Sequence, residues 1–450
     1  MSLLTVQNLN VTFDTPEGDV IAVNNLSFEL NQGEILAIVG ESGCGKSQTA
    51  FSILGLISKN GKAEGKIIFN NLNLLNLVEK EMNEIRAQKI GIIFQDPMTS
   101  LNPYLRVSDQ LMEIFFVHKG YTKSDSLKES INLLEMVKIP NAKERIHMFP
   151  HELSGGQRQR VMIAMALAIS PQILIADEPT TALDVTTESE ILKLIKDLQN
   201  HYNSGILFIT HDLGIVAEIA DRVIVMNQGK LIESGSVMQV LNSPKQPYTK
   251  SLINSVPSLI PPEQKKISKK SILKVININK SFSSNRNFFR FRTDKIEINA
   301  VKNANLELFR GETLGIVGES GSGKSTLARC ISNIIENNSG KVFFEDIELT
   351  ALSKNEMRNI RTEIQMIFQD PLASLNPRLN IEEIIAEPLK THFPDLSHNE
   401  MRIKVITVMQ KVGLHPSLIN RYPHEFSGGQ CQRVGIARAL ITEPKLIICD

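Results

Sequence analysis

The chain has 450 residues, 42% of them hydrophobic, and its 49 basic residues balance its 49 acidic residues. The zero net charge gives no electrostatic reason to expect nucleic-acid binding, and the hydrophobic share is ordinary for a globular protein with a full core. The sequence contains neither a secretory signal nor an apolar stretch of ~18 residues. The four cysteines lack the spacing of a disulfide framework or a metal site. We therefore expect a soluble, cytosolic chain of two or three domains.

The pattern of apolar residues predicts two kinds of sheet. Residues 4–30 are strand-like throughout, which predicts an antiparallel β layer. Further along, short apolar runs such as 173–176 and 206–209 alternate with helix-length segments such as 188–199. Alternating strands and helices predict a parallel sheet covered by helices. We expect residues 107–148 to be largely helical.

One phosphate-binding motif occurs twice. The sequence G-E-S-G-C-G-K-S at 40–47 recurs as G-E-S-G-S-G-K-S at 318–325, and the apolar runs 35–39 and 313–317 before them predict strands. A strand, a Gly-rich turn and a helix in this order form a P-loop, whose backbone N–H groups and helix N-terminus bind phosphates. The lysine would reach the β- and γ-phosphates, and the serine after it would hold Mg²⁺. The predicted phosphate-binding residues are Gly40, Glu41, Ser42, Gly43, Cys44, Gly45, Lys46, Ser47 and Gln48, and Gly318, Glu319, Ser320, Gly321, Ser322, Gly323, Lys324, Ser325 and Thr326.

Two carboxylates follow a buried run in the first half. Residues 173–176 are apolar and lead into Asp177 and Glu178, the pattern of a Walker B strand. Asp177 would hold Mg²⁺, and Glu178 would polarise the attacking water as general base. The simpler alternative is an acidic strand end that faces solvent. His211 ends another apolar run and is a candidate for contacting the γ-phosphate, although a lone histidine in such a position is more often structural.

The two halves repeat these features at a nearly constant offset. Gly318 lies 278 residues after Gly40, and Asp450 lies 273 residues after Asp177. A repeat of this length predicts a duplicated domain. Two prolines and four lysines in residues 261–270 favour a solvated linker over a lipid- or nucleic-acid-binding patch. The expected division is a first domain at 1–260, a linker at 261–272 and a second domain at 273–450.

A third motif carries a family resemblance. The sequences L-S-G-G-Q at 153–157 and F-S-G-G-Q at 426–430 resemble the signature motif of ABC-transporter ATPases. The serine would cap a helix beginning near Gln157, and the glycines would expose N–H groups to a second anion. The resemblance implies that each signature reaches across a head-to-tail dimer to the γ-phosphate on the other half's P-loop. The implied signature residues are Ser154, Gly155, Gly156, Gln157, Ser427, Gly428, Gly429 and Gln430.

The same resemblance implies further site residues. Phe13 and Phe282 match the aromatic residue that stacks on adenine, although ordinary strand core is nearly as good an interpretation of each. Gln95 and Gln369 match the glutamine loop, which senses the γ-phosphate and faces the membrane partner. The predicted catalytic residues are thus Lys46, Gln95, Glu178 and His211, and the predicted Mg²⁺ ligands are Ser47, Gln95, Asp177, Ser325, Gln369 and Asp450.

Longer motifs narrow the family. The pattern F-Q-D-P-x-x-S-L-N-P occurs at 94–103 and 368–377 and resembles the extended glutamine loop of importers for oligopeptides, dipeptides, nickel or glutathione. P-K-Q-P-Y-T at 244–249 is similar to the tail motif of that subfamily, and the insertion at 283–295 resembles the second ATPase of such pairs. The resemblance implies an ATPase subunit that depends on ATP and Mg²⁺ and lies at the cytoplasmic face of the inner membrane. It would dock on two permease subunits and be fed indirectly by a solute-binding protein.

The implied fold class is α/β, with two tandem P-loop NTPase domains of the ABC type. Each would have a parallel RecA-like core, an antiparallel β layer and a helical subdomain. The second would be truncated, because its general base, D-loop and switch histidine would follow Asp450, and about 80 residues would be missing by analogy with the first half.

Three alternatives remain open at this point. The chain is a transport ATPase, a non-catalytic or half-active ATP-binding fragment, or a tandem ABC factor of translation, chromatin or repair. The last class usually has a longer charged linker or zinc cysteines and lacks the extended glutamine loop. Cys431 replaces an arginine usual after the second signature, and a modest effect is expected. Packing is a better interpretation of Cys44 than a redox role.

Overall fold

A computed structural model describes residues 2–15, 18–96, 100–181, 183–256, 270–285 and 295–450, and the side chains of 283–285 and 295–297 are not described. The chain divides into two compact units, Met1–Pro261 and Pro262–Asp450. Three predicted features lie wholly or partly outside the described residues, namely linker residues 261–269, glutamine-loop residues 97–99 and insertion residues 286–294.

The first unit begins with the predicted antiparallel layer. Strands β1 (Ser2–Thr15) and β2 (Gly18–Asn31) pair antiparallel, and β1 also pairs with β4 (Gly61–Phe69), which continues to β5 (Leu72–Asn73). Alternate residues of these strands point into a shared hydrophobic core, as the period of a β-strand requires. The prediction for residues 4–30 is therefore confirmed.

A six-stranded sheet forms the centre of the first unit. The strands are β3 (Ile35–Val39), β6 (Ile90–Ile93), β7 (Ile173–Asp177), β8 (Gly205–Thr210), β9 (Arg222–Asn227) and β10 (Lys230–Ser236). Their order in the sheet is β10-β9-β3-β8-β7-β6, and they pair parallel except for the β9–β10 hairpin. Strands β3, β7 and β8 run in the same direction, so the residues that follow them meet at one edge of the sheet.

Helices cover this sheet and form a separate helical layer. Residues 107–148 are largely helical, as predicted, and pack through Leu111, Phe115 and Leu134 onto the helix that follows the signature. Within the described ranges, no helix has the length and hydrophobicity that a membrane span requires. The helices are α1 (Lys46–Ile53), α2 (Glu79–Gln88), α3 (Val107–Lys119), α4 (Lys123–Met136), α5 (Ala142–Arg145), α6 (Gly155–Leu167), α7 (Val185–Tyr202), α8 (Leu213–Ile219), α9 (Val237–Asn242) and α10 (Pro247–Asn254).

The second unit repeats the β layer of the first. The strands are β11 (Ser271–Asn285), β12 (Lys295–Phe309), β13 (Ser339–Phe344) and β14 (Ile347–Glu348). Their order in the sheet, β12-β11-β13-β14, matches the order β2-β1-β4-β5 of the first unit position by position. The helices are α11 (Lys324–Ile331), α12 (Lys354–Ile360), α13 (Pro371–Ser374), α14 (Ile381–His392), α15 (His398–Lys411) and α16 (Gly428–Leu440).

The parallel core of the second unit is smaller than that of the first, and the predicted strand at 313–317 is wrong. Only β15 (Ile364–Ile367) and β16 (Leu446–Cys449) pair parallel among its described residues, and the apolar run 313–317 forms no strand. Val317 is 96% exposed. The counterpart strand in the first unit, β3, lies between β8 and β9 and is hydrogen-bonded to both. The run 313–317 pairs with no other strand among the described residues, and an apolar run without hydrogen-bonding partners does not form a strand.

Candidate active site

The first P-loop connects β3 to α1 and closes around its own lysine. Gly45 has φ of 100°, and a Cβ there would collide with the Ala22 carbonyl oxygen, so only glycine fits. Lys46 is 5% exposed, and its Nζ donates to the carbonyl oxygens of Gly40 at 2.8 Å and Glu41 at 2.9 Å. The ammonium group therefore lies at the centre of the loop, where a phosphate would compete for it.

Ser47 and Asp177 form a pair of oxygen donors beside the loop. Ser47 Oγ donates to Asp177 Oδ1 at 3.1 Å, and Asp177 is 3% exposed. Burial raises the pKa of Asp177, and the Ser47 hydrogen bond lowers it in part. No group of three or more acidic, histidine or cysteine side chains is arranged for a metal within the described ranges. Two hard oxygen donors fit Mg²⁺, which takes few protein ligands and keeps waters and substrate phosphates.

The side chain of Glu178 is the meeting point of the predicted catalytic residues. Its Oε2 accepts from Gln95 Nε2 at 2.9 Å and from Thr181 Oγ1 at 3.1 Å. His211 Nδ1 lies 3.2 Å from the same oxygen, and Lys46 Nζ lies 4.0 Å from Oε1. Glu178 itself has φ of 46°, an uncommon backbone conformation for a residue with a side chain. The fold therefore aims this carboxylate at the P-loop.

The surroundings of Glu178 keep it ionised. Burial raises its pKa, but the hydrogen bond and charge of His211 and the charge of Lys46 outweigh burial, and the pKa lies below its ordinary value of 4.5. The Glu178 hydrogen bond in turn raises the pKa of His211 above 6.5. A carboxylate that is ionised at neutral pH and held in place can accept a proton from water.

The coupling between these two groups gives a prediction about His211. Replacing Glu178 by glutamine removes the largest cause of the raised pKa, so the His211 pKa should fall in an NMR titration of the nucleotide-free protein. Asp212→Asn is the matched control and should lower it less, because the Asp212 charge is a smaller cause. An unchanged His211 pKa in E178Q would contradict the contact.

The same shifts set the pH range in which the pair stabilises the fold. The contribution of Glu178 is full above pH 4.5 and is lost as the pH falls through its lower folded pKa. The contribution of His211 is full below pH 6.5 and is lost as the pH rises through its higher folded pKa. Both contributions are therefore complete between these two values.

Each signature motif begins a helix with a reciprocal cap. Ser154 Oγ accepts from the Gln157 N–H at 3.3 Å, and Gln157 Oε1 accepts from the Ser154 N–H at 3.3 Å. Helix α6 begins at Gly155, earlier than the predicted Gln157, because the glycines themselves adopt helical conformation in the first turn. Ser427 and Gln430 make the same cap on α16. Both serines are exposed N-caps, so free helix N–H groups face solvent at each motif.

The second P-loop repeats the contacts of the first. Lys324 Nζ donates to the carbonyl oxygens of Gly318 and Glu319, each at 2.7 Å, and Ser325 Oγ donates to Asp450 Oδ1 at 2.6 Å. Unlike its counterpart, this loop is largely exposed, and the residues 313–317 before it form no strand. Gln369 is exposed as well.

The two predicted adenine-stacking residues lie in different surroundings. Phe13 is half-buried and packs against the core of the β layer, where a Cβ at Gly61 would contact its ring. Phe282 is 43% exposed, and Lys280 Nζ lies 5.2 Å from its ring centroid. Stacking on adenine stays a prediction for both residues.

Two cysteines of the motifs are buried, and one threonine contacts the catalytic glutamate. Burial raises the pKa of the Cys44 thiol, which favours packing over reactivity, and Cys431 is fully buried. Sequence reasoning assigned no role to Thr181, although it contacts Glu178. Its position three residues after that glutamate, in the turn that ends β7, was the available signal.

A lysine, a buried aspartate and an oriented glutamate around a phosphate loop define the class of P-loop ATPases. The sequence model of the family described as ABC transporter matches residues 23–181 and 301–450, and that of the oligopeptide/dipeptide transporter C-terminal region matches 232–288. The chain therefore belongs to the ABC transporter family. It is an ATP-binding subunit that hydrolyses ATP to drive transport, and the predicted family, fold class and enzyme class are confirmed.

Several relatives align with the whole length of the chain. Peptidoglycan transport ATP-binding protein YejF of Agrobacterium fabrum is 44% identical over 450 residues, which are 100% of this chain and 82% of the relative. Glutathione import ATP-binding protein GsiA of Escherichia coli K12 is 42% identical over an alignment of 481 residues, which covers 100% of this chain and 77% of the relative.

Proposed function

We propose that this chain powers the import of peptides or peptide-like solutes across the inner membrane. The convergence of Gln95, Thr181 and His211 on the ionised Glu178 carries the catalytic part of the proposal. The transported class is inferred from relatives named for glutathione import and peptidoglycan transport, and from the match to the oligopeptide/dipeptide transporter region. The solute itself would be selected by the permease and the solute-binding protein.

Mg²⁺ is the proposed metal of the reaction. Ser47 and Asp177 would hold it at the first site, and Ser325 and Asp450 at the second, with Gln95 and Gln369 as further contacts. The ion would neutralise charge on the phosphates. Within the chain, Glu178 would accept the proton of the attacking water while His211 and Gln95 fix the orientation of its carboxylate.

The two halves are proposed to pair head to tail. The exposed caps at Ser154 and Ser427 leave helix N–H groups free to bind an anion from another surface. In this arrangement the first P-loop would be completed by the second signature, and the second P-loop by the first. Residues 1–260 and 273–450 are the proposed domains.

The proposed partners are two permease subunits, and the proposed location is the cytoplasmic face of the inner membrane. Near the glutamine loop, Tyr104 is 87% exposed and Leu105 is 40% exposed. Phe116 and Val117 on α3 are exposed by 65% and 61%. Large apolar side chains on the surface of the helical layer suit a docking surface for a protein partner.

A crosslinking experiment tests the permease partner. A cysteine at Tyr104 should form a disulfide with a cysteine in a cytoplasmic helix of the permease, in membranes that contain the whole complex. Met238→Cys is the matched control, because Met238 is 71% exposed but lies on α9, away from the helical layer. Equal crosslinking of both variants, or crosslinking only to ribosomal or DNA-bound partners, would overturn the proposal.

A further inference from the structure

An arginine on the second signature helix holds the second glutamine loop. This loop, residues 368–377, contains the short helix α13, which begins at Pro371 and ends at Ser374. Arg438 on α16 donates a hydrogen bond from Nη1 to the Ser374 carbonyl oxygen at 2.7 Å. A carbonyl group at the end of a helix lacks a partner within the helix, and an arginine side chain can supply one. The guanidinium group therefore joins the glutamine loop to the helix that the signature begins.

The loop is also fixed at its other end, next to the glutamine. Asp370 Oδ1 accepts from the Ala373 N–H at 3.0 Å and caps the start of α13. Ser374 Oγ donates to the Pro371 carbonyl oxygen at 2.8 Å. Gln369 is therefore followed at once by a turn that is held at both ends, so a shift of this turn and a shift of Arg438 accompany each other.

Arg438 lies beside a small cavity between α16 and the glutamine loop. Residues of both elements line this cavity, among them Phe368, Gly435 and Arg438 itself. A Cβ at Gly435 would have no atom of another element within 4 Å, and Arg438 is half-buried. The open space leaves room for the helix and the loop to shift while the hydrogen bond keeps them joined.

The first unit cannot form this hydrogen bond, because a methionine stands in place of the arginine. At the constant offset between the two signatures, Arg438 corresponds to Met165, and Gly435 corresponds to Met162. Met162 is buried in the core of the first unit, and Met165 packs against the same core. A thioether has no hydrogen to donate. The two halves therefore differ in how the signature helix is joined to the glutamine loop, although their motifs are nearly identical.

We propose that Arg438 is a positioning residue for ATP hydrolysis, which joins the second glutamine loop to the second signature. In the proposed head-to-tail arrangement, the signature that begins at Ser427 completes the first P-loop. A shift of the second glutamine loop then reaches the first ATP site through Arg438, whereas the first glutamine loop has Met165 in place of this link. The inference rests on the proposed pairing of the halves and adds to it a direction of coupling between them.

The test measures ATP hydrolysis by the full chain in a Lys324→Ala background, in which only the first P-loop is intact. Arg438→Met should lower the turnover number by about twofold to thirtyfold, the range by which single substitutions alter coupling between elements. KM for ATP should change less, because the P-loop keeps its own contacts. Arg438→Lys keeps a charged donor and should retain more of the turnover. The matched control is Arg402→Met, which removes an arginine bonded to Glu382 at 2.7 Å instead of to the loop and should leave turnover unchanged.

Backbone hydrogen exchange separates the link from an effect on overall stability. Residues 369–375 should exchange faster in the Arg438→Met protein than in the wild-type protein, and the lysine variant should lie between them. The melting temperature of the Arg438→Met protein should stay close to the wild-type value, because methionine occupies the equivalent position in the first unit.

Each remaining outcome would contradict the proposal. Unchanged exchange of residues 369–375 in R438M would show that the arginine does not hold the loop. Equal losses of turnover in R438M and R402M would show that the effect is not specific to the link. If R438M keeps its turnover while Ser427→Arg in the same background loses it, the link does not serve the ATP site. Normal turnover in both of these variants would instead overturn the head-to-tail pairing, and this inference with it.

Discussion

Replacing Glu178 by glutamine is expected to lower ATP turnover by about 10²- to 10⁴-fold, the usual contribution of a general base. Glutamine keeps the size of the side chain and can still contact Gln95 and Thr181, but it cannot take a proton from water. ATP binding should be retained, because the phosphate-binding groups lie in the P-loop and the Ser47–Asp177 pair. Steady-state hydrolysis and equilibrium ATP binding by the purified full chain are the measurements.

Glu135→Gln is the matched control for this prediction. Glu135 is exposed on α4 and lies outside the phosphate loop, so its replacement should leave turnover unchanged. Equal turnover of E178Q and the wild-type protein would show that the assigned base is wrong. Loss of ATP binding in E178Q would show that Glu178 holds the nucleotide rather than activating water.

The chemistry of the first site could be predicted from sequence because its motifs are local. A strand, a Gly-rich turn and a helix follow one another directly at the P-loop, and the two carboxylates directly follow a buried strand. The parallel sheet then brings β3, β7 and β8 to one edge, as strand–helix alternation indicates. Only the rule that parallel strands end together was needed to place Lys46, Glu178 and His211 in one site.

The second unit shows where local reasoning fails. The runs 35–39 and 313–317 are both apolar and precede nearly identical loops, yet only the first forms a strand. Strand formation depends on hydrogen-bonding neighbours that are remote in sequence. The first run, β3, pairs with β8 and β9, whereas the run 313–317 pairs with no strand among the described residues. A pattern within a few residues cannot report whether those neighbours are present.

The contacts of single side chains could not be predicted from the sequence either. The hydrogen bond from Thr181 to Glu178 depends on the turn after β7, and the packing of Tyr248 against the cluster that contains Val39 joins residues more than 200 positions apart. The half-buried packing of Phe13 depends on its neighbour Gly61 across the sheet. Such contacts follow from the assembled fold, and no spacing in the sequence predicts them.

The most direct test of the account compares arginine substitutions at the two signature serines. In a Lys324→Ala background, hydrolysis depends on the first P-loop. If the halves pair head to tail, Ser427→Arg places a bulky side chain between the second signature and the γ-phosphate. The ATP turnover of the Ser427→Arg variant should then fall by about 10²- to 10³-fold, as on loss of a positioned electrostatic donor. Ser154→Arg alters an equally exposed N-cap and should leave turnover in this background unchanged. Loss of turnover in S154R with normal turnover in S427R would contradict the account.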